Sequence, residues 1–566
     1  MEKYVVGIDY GTLSARTILV NVSTGEICAY AEMSYPHGVM DQVLPDGVTK
    51  LGPDWALQHP QDYIQCTSKT LTKVLETSGI DARQIIGVGT DFTECTMLPV
   101  KKDGTPLCML DAYKNNPHAY VKLWKHHAAA EEADRLNEIA RMRGEEFLDY
   151  YGGKISSEWM FPKIWQILNE APEVYDAADR FMELADWITL QLTGTETRNS
   201  CTAGYKAIWH KQNGFPSNAF LKSLDPRLEY VVDEKMSRTI YPVGAKAGSI
   251  TEESAKWTGL AAGTAVSVGI GDAHCAVIGC GITTPDILLM VMGTSGCDML
   301  VSETAVKVPG ISGICEDGIL PGFYGYEAGQ SCMGDHFSWF ANHCVPERLE
   351  QEARAVNKHV LQLLNEKAEK IKPGASGLIA LDWWNGNRSV LVDADLTGSM
   401  FGMTTATTAE EMYKALVEAV AFGKRMIIEN FVEHGVPITK IMATGGIAEK
   451  SPFIMQTFAD IIGMPIHVAA TQQGTAMGAA MLGAVAAGST NGGYDSIQQA
   501  GKAMGGGIKK TYEPQRKHRD IYNRLYAQYV RLHDYFGRNE QSPIKQLKAI
   551  KLEVMSKDRS IKTSID

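Results

Sequence analysis

Two stretches far apart in the chain share one pattern, and that pattern constrains the fold more than any other feature. Tyr4-Val5-Val6-Gly7-Ile8-Asp9 is a short apolar run of β type, followed by a polar, glycine-containing turn at 10–16 and a second apolar run at 17–22. Residues 287–292 lead in the same way into Gly293-Thr294-Ser295-Gly296 and then a further run at 297–301. One such hairpin at the head of each half points to two domains of related topology; two unrelated hairpins would give the same pattern. Strands at 85–91, 266–272 and 438–443 alternate with helical periodicity at 117–143, 162–168, 182–192, 346–370, 409–433, 451–463 and 512–536. Such alternation predicts an α/β protein. The spacing places a boundary near Thr283-Thr284-Pro285, giving units 1–282 and 283–540 and a charged, peripheral tail at 541–566.

Composition narrows the function classes. With 54 basic and 66 acidic side chains among 566 residues, the net charge of −12 argues against nucleic acid as the main partner. Eleven cysteines without C-x-x-C spacing exclude a zinc ribbon or disulfide scaffold and predict reduced, buried thiols. The opening residues show no charged-then-apolar leader, so the expected location is the cytoplasm. No run reaches the ~18 apolar residues of a membrane span. The nearest, 475–488, is rich in Ala and Gly and reads as a helix packed closely inside the protein. No membrane contact is expected.

The sequence lacks a G-x-x-x-x-G-K-[ST] loop, an H-E-x-x-H pair and a G-x-S-x-G elbow. Its glycines cluster instead at strand-to-turn junctions: Gly11-Thr12, Gly293-Thr294-Ser295, Gly445-Gly446 and the run from Gly474 through Ala476 to Ala480. Turns of this kind can aim backbone N–H groups at a phosphate, although each taken singly reads more simply as a hairpin turn or close helix–sheet packing. Asp9, Asp91 and Asp272 each end an apolar run, where ligands of α/β sheets bind. Helix capping is the plain alternative, above all for Asp272. The small neighbours of Asp272 in GIGDAH at 269–274 leave room for a ligand.

Taken together, GIDYGT at 7–12, PKIWQILNEAPE at 162–173, GIGDAH at 269–274, MGTSG at 292–296, GSMFGM at 398–403 and ATGGIA at 443–448 resemble the FGGY carbohydrate kinases. The motifs occur in that family's order from about residue 4 to 537. TDFTECTMLPV at 90–100, LWKHH at 123–127, YEAGQS at 326–331 and DWWNGNRSVLVDADLTG at 382–398 resemble its ribulokinase branch. The resemblance implies two actin-like (ribonuclease H-like) ATPase domains with a cleft between them that holds a sugar and Mg-ATP. It makes Asp272 the general base that takes the proton of the attacking sugar hydroxyl, and Asp9 the carboxylate that holds Mg²⁺. Gly11 and Thr12, with Gly293, Thr294 and Ser295, become the two phosphate turns. Gly445, Gly446, Gly474 and Ala476 become walls of the adenosine site. Lys206, Glu327 and Asp272 are implied for the sugar, with position 94 lining the pocket. There the chain departs from the small residue the branch leads one to expect and carries Glu94.

The implied reaction is ATP-dependent phosphorylation of L-ribulose at its 5-hydroxyl, in arabinose breakdown. Another ketopentose or polyol kinase, a non-catalytic sugar sensor and an assembly ATPase are the alternatives. Whether the chain forms a homodimer stays open. For Lys206 the plain alternative to a sugar contact is a solvated surface lysine, and other features have plainer explanations: His126-His127 as partly exposed helix residues, Asn387-Arg388-Ser389 as an irrelevant sequon, and 509–519 as a solvated basic face.

Overall fold

The computed structural model describes residues 2–471, 473–539 and 541–562; the side chains of 552 and 555–562, and residues 563–566 of the expected tail, lie outside the described residues. Two seven-stranded sheets organise the chain. The first contains β1 (Tyr4–Tyr10), β2 (Ser14–Asn21), β3 (Ile27–Ser34), β4 (Ile85–Phe92), β5 (Lys246–Ser249), β6 (Ala265–Ser267) and β7 (Ile270–Gly271). Its order is β3-β2-β1-β4-β6-β5, with β7 beside the end of β4. The second contains β8 (Ile287–Met292), β9 (Gly296–Ser302), β10 (Gly313–Glu316), β11 (Tyr324–Gln330), β12 (Lys440–Thr444), β13 (Ile466–Ala469) and β14 (Ile508–Tyr512), in the order β10-β11-β9-β8-β12-β13-β14.

The two sheets repeat one topology. β1 pairs antiparallel with β2 and parallel with β4. β8 pairs antiparallel with β9 and parallel with β12. The hairpins that open the two halves of the sequence are therefore the same element used twice.

The helices that position the site are α1 (Met160–Glu170), α2 (Ser200–Lys206), α3 (Asp272–Gly279), α4 (Gly334–His343), α5 (Ala409–Glu433), α6 (Gly446–Lys450), α7 (Gly474–Ala487), α8 (Arg516–Gly537) and α9 (Pro543–Lys562). Although α7 belongs to the second half of the sequence, it lies flat on the first sheet. A Cβ on Gly7 of β1 would stand 1.9 Å from the Ala476 carbonyl oxygen, and one on Gly89 of β4 1.9 Å from that of Ala479. Only small residues on both surfaces allow that approach, which is why this apolar segment is made of Ala and Gly. Residues of α3 and α7 share one core with side chains of both sheets, among them Val5, Ile18, Leu289 and Met442.

The sequence periodicity misplaces some elements. Of 117–143 Ala130–Arg143 is α-helical and Pro117–Ala119 a single 3₁₀ turn, because Val121–Lys122 pairs into a small separate sheet with Leu57–Gln58 and Met97. Met182 belongs to the strand Arg180–Glu183 of that sheet, with the helix beginning at Leu184. The run at 266–272 is broken between β6 and β7, where the Val268 N–H turns to the Ala245 carbonyl. The tail folds as α9, with Ile544 buried and Lys545 and Lys548 paired to Asp393 and Asp395. Among the described residues no helix is long and apolar enough to cross a membrane.

Candidate active site

Register gathers the carboxylates. Asp9 stands level with Asp91 across the parallel β1–β4 pair, and Gly271 of β7 stands level with Phe92. Asp272 follows at once as the first residue of α3, so three carboxyl groups meet at the ends of three neighbouring strands. Asp9 is buried and uses Oδ2 to accept hydrogen bonds from Arg16 Nη1 at 2.9 Å and Thr475 Oγ1 at 2.8 Å. Arg16 reaches it because the β1–β2 hairpin sets the two residues opposite each other. Thr475 comes from the first turn of α7, so Asp9 also ties that helix to the first sheet.

Asp91 is fully buried, and neither of its oxygens has a hydrogen-bond partner among the described residues. Burial, then the nearby Asp9 and Asp272, push its carboxyl well above the usual range. Asp272 is half-buried, and its Oδ1 accepts the Ala273 N–H at 2.6 Å. Burial and the Asp9 charge push it up to about 7. The N-cap of α3 is Gly271, so the capping role foreseen for Asp272 is not the one it fills. Excess negative charge of this kind, on hard oxygen donors and with a single arginine beside it, fits a hard divalent cation such as Mg²⁺.

A second cluster lies alongside. The chain leaves β4 through Cys95, whose φ of 58° turns the backbone back. Glu94 then lies against Gly271, where a Cβ would stand 2.1 Å from its Oε1. Glu94 accepts from Cys201 Sγ at 3.0 Å, pairs with Lys206 Nζ at 3.1 Å and has His274 Nδ1 at 3.0 Å. Lys206, the last residue of α2, also pairs with Glu327 Oε2 of β11 at 2.6 Å. Burial pushes Glu94 up, but His274 and Lys206 outweigh it and hold the carboxyl below its ordinary value. Burial likewise works against the Lys206 ammonium, and Glu327 and Glu94 overcome it. Lys206 is thus a buried ion linking the two halves, not a surface lysine, and the residue at position 94 is the hub of the cluster.

The glycine turns sort differently. The Gly11 N–H bonds to the Ser14 carbonyl, and Thr12 accepts from Trp124 Nε1 through Oγ1 and from Gln58 Nε2 through its carbonyl. Gly293 and Thr294 are exposed, Ser295 is half-buried, and the start of α4 takes up the Gly293 and Thr294 carbonyls. Gly445, at φ 98°, lies so close to β8 that a Cβ would stand 2.6 Å from the Met292 carbonyl oxygen. It therefore sits beside the second turn, while the Cβ direction of Gly446 is open space. Gly474 lies by Thr444 in the same neighbourhood. Ala476 does not reach a cleft surface: it is fully buried between α7 and β1.

Several residues of the site escape the sequence patterns. Arg16 could have been found by counting the hairpin register from Asp9. Thr475, His274 and Lys163 carried no signal, because their partners lie far away in the chain. Lys163 of α1 is completely buried and donates to the carbonyls of Cys95, Lys122 and Leu123, pinning the loop that carries Glu94. His126 is buried, unlike the exposed His127, and is bonded to Lys122 and Gln166.

Comparison with known proteins places this geometry. Residues 4–279 match the N-terminal domain of the FGGY family of carbohydrate kinases and residues 288–487 its C-terminal domain. The chain is 55% identical to a ribulokinase of Bacillus licheniformis over 96% of its own length and 99% of that protein's. It is 52% identical to a ribulokinase of Halalkalibacterium halodurans over 97% and 98%. Among solved structures, a xylulose kinase from Rhodospirillum rubrum superposes with a TM-score of 0.76 at 21% identity, covering 94% of this chain and 98% of that one. A glycerol kinase of Plasmodium falciparum gives 0.74 at 16%, covering 94% and 98%. These two show a shared two-domain α/β fold, consistent with the actin-like architecture that the sequence motifs imply. With both domain matches in order and relatives of this identity along nearly its whole length, the chain belongs to the FGGY family of carbohydrate kinases.

Proposed function

We propose that this chain transfers the γ-phosphoryl group of ATP to the 5-hydroxyl of L-ribulose, the entry of that sugar into arabinose breakdown. The observation that carries this is the 55% identity to a ribulokinase across nearly the whole chain. The buried Glu94–Lys206–Glu327 cluster supports it, because a polyol site needs fixed charged groups that reject analogues lacking a hydroxyl.

In this proposal residues 1–282 supply the sugar side and first phosphate turn, residues 283–540 the second turn and the adenosine walls, and the tail from 541 neither. Asp272 takes the proton of the sugar hydroxyl. A carboxyl poised near neutrality by burial and by Asp9 accepts a proton more readily than an ordinary aspartate. Asp9, oriented by Arg16 and Thr475, would hold Mg²⁺, which when bound supplies charge neutralisation for the polyphosphate. The glycine turns at 11–12 and 293–295 would cradle phosphate oxygens, with Gly445, Gly446 and Gly474 against the adenosine.

ADP release by the purified chain with Mg-ATP, run against L-ribulose, D-ribulose, D-xylulose, glycerol and no sugar, tests the assignment. Preference for L-ribulose is expected. Preference for another sugar would overturn the substrate, and sugar-independent release would overturn the kinase role. Asp272→Asn should lower turnover about a hundred- to ten-thousand-fold while leaving sugar binding within a few-fold. Turnover near that of the unmodified chain would remove Asp272 as the base.

A further inference from the structure

The loop at 382–398 is held firmly on all sides, and the side chain it presents is a cation. At its start the Asp382 carboxylate accepts from Gln330 Nε2 at 2.8 Å and Tyr529 OH at 2.7 Å, fixing it to β11 and α8. In the middle Asn387 and Asp393 exchange backbone hydrogen bonds of 2.9 and 2.8 Å. Ser389 Oγ accepts the Gly329 N–H of β11 at 3.2 Å. From the outer side α9 braces it, with Lys545 paired to Asp393 at 2.5 Å and Lys548 to Asp395 at 2.9 Å. Such anchoring fixes where Arg388, next to Ser389, can point.

Arg388 points at the join between the second turn and the sugar cluster. Its Nη1 lies 3.9 Å from the Sγ of Cys297, the residue that follows Gly296 on β9. Cys297 stands level with Gly329, two residues beyond Glu327 on β11. Burial works against the charge of the half-buried guanidinium, the nearest carboxylates that favour it are those of Glu158 and Glu327, and no carboxylate pairs with it among the described residues. A guanidinium has five N–H donors, and here the protein provides one weak acceptor. The neighbouring cation, Lys206, is already neutralised by Glu94 and Glu327. Ionised Asp9 and Asp272, at the strand ends, repel an incoming phosphoryl group.

Resting on the kinase reading above, we propose that Arg388 binds the phosphoryl group at the sugar end of the transfer, holding its oxygens as it arrives on the 5-hydroxyl and as the phosphate of the product. Planar, forked donors suit phosphate oxygens, and a phosphoryl group supplies the acceptors that the protein leaves out. The bare sugar, which carries no charge, gains little from the same contact.

Calorimetric binding of L-ribulose and of L-ribulose 5-phosphate to the full chain and to Arg388→Gln tests this, together with kcat and KM. Binding of the sugar phosphate should weaken about 30-fold, the range of a charge-assisted hydrogen bond, and binding of the sugar less than threefold. Turnover should fall by a similar factor with the KM for sugar nearly unchanged, and Arg388→Lys should recover part of both losses. Equal weakening for sugar and sugar phosphate would overturn the proposal in favour of a hydroxyl contact. Unchanged product affinity and turnover would overturn it outright. Should the unmodified chain prefer another sugar, the substrate assignment fails separately, and the same comparison with that sugar and its phosphate decides the role of Arg388. Thermal melting of both variants guards against misfolding, and Arg388→Lys keeps the positive charge in place.

Discussion

Lys206→Met offers the most demanding test of how the two halves are joined at the sugar site. The ammonium lies 2.6 Å from Glu327 and 3.1 Å from Glu94, and side-chain exposure is 6%, 10% and 9% for the three residues. Since both carboxylates touch one nitrogen, they stand no more than about 6 Å apart, and at an effective dielectric near 20 their repulsion is about 3 kcal/mol once the lysine is gone. Loss of one partner from a buried pair costs about 3–5 kcal/mol, so a fall in stability within that range is expected. Among the described residues His274, 3.0 Å from Glu94 and 3.8 Å from Glu327, then remains as the basic group that contacts both.

The pH dependence has a definite sign. Removing Lys206 takes away one of the charges that hold Glu94 low, so the carboxyl pKa rises in the folded state. A carboxyl held low contributes stability on ionising that is lost as pH falls, and the variant has less of it to lose, so its deficit against the unmodified chain should be larger at pH 7 than at pH 4. Thermal unfolding at both pH values, with KM for L-ribulose and for Mg-ATP, forms the assay. KM for the sugar should rise at least about tenfold and that for nucleotide less than threefold. In the Glu327→Gln background the same lysine substitution should cost about 2 kcal/mol less. Additive effects, within about 0.5 kcal/mol, would refute the claim that this ion pair couples the halves.

Two further outcomes follow from packing and burial. Gly7→Ala would drive α7 off β1 by about 1.5 Å to reach ordinary contact, at a cost of roughly 1–3 kcal/mol. The 2.8 Å bond from Thr475 to Asp9 should open with it, so both the melting temperature and Mg-ATP use should fall. Gly52→Ala, whose added carbon meets nothing closer than 3.4 Å, is the control, and equal melting of the two variants would sink the packing account. Asp91→Asn should be tolerated, since burial and its carboxylate neighbours already favour the neutral acid. A carboxyl raised in the folded state contributes stability below its unfolded pKa and loses it as pH rises, so without Mg²⁺ the variant should gain on the unmodified chain between pH 5 and pH 8. A constant difference across that window would show that Asp91 is ionised.

Local chemistry alone made several elements legible. The run 409–433 begins at Thr408 with Glu411 three residues on, a capping box that forms as written, and its apolar periodicity continues to Glu433. The hairpins after β1 and β8 announce themselves by turn residues between apolar runs, and the strand-end carboxylates Asp9, Asp91 and Asp272 follow from where those runs stop. The family motifs pointed to the candidate site residues, yet they gave no reason for Glu94 or Arg388.

What the sequence could not decide was which distant groups meet. Lys206 looks like any surface lysine until α2 and β11 bring it between two carboxylates 112 and 121 residues away in the chain, and its burial is a property of that meeting alone.

 Ala476 shows the opposite outcome: it stands in a glycine-rich stretch that reads as a ligand wall, and the laying of α7 on β1 buries it completely. The strand Val121–Lys122 lies inside a helical pattern because pairing with Leu57–Gln58 outweighs local periodicity. Sequence thus determined many of the elements, the capping box at Thr408 and the hairpin opening each half, since those depend on neighbours a few residues away. Tertiary structure alone decided which charges are buried together and which are left unpaired, because desolvation and Coulomb energy depend on distance in space and not on position along the chain.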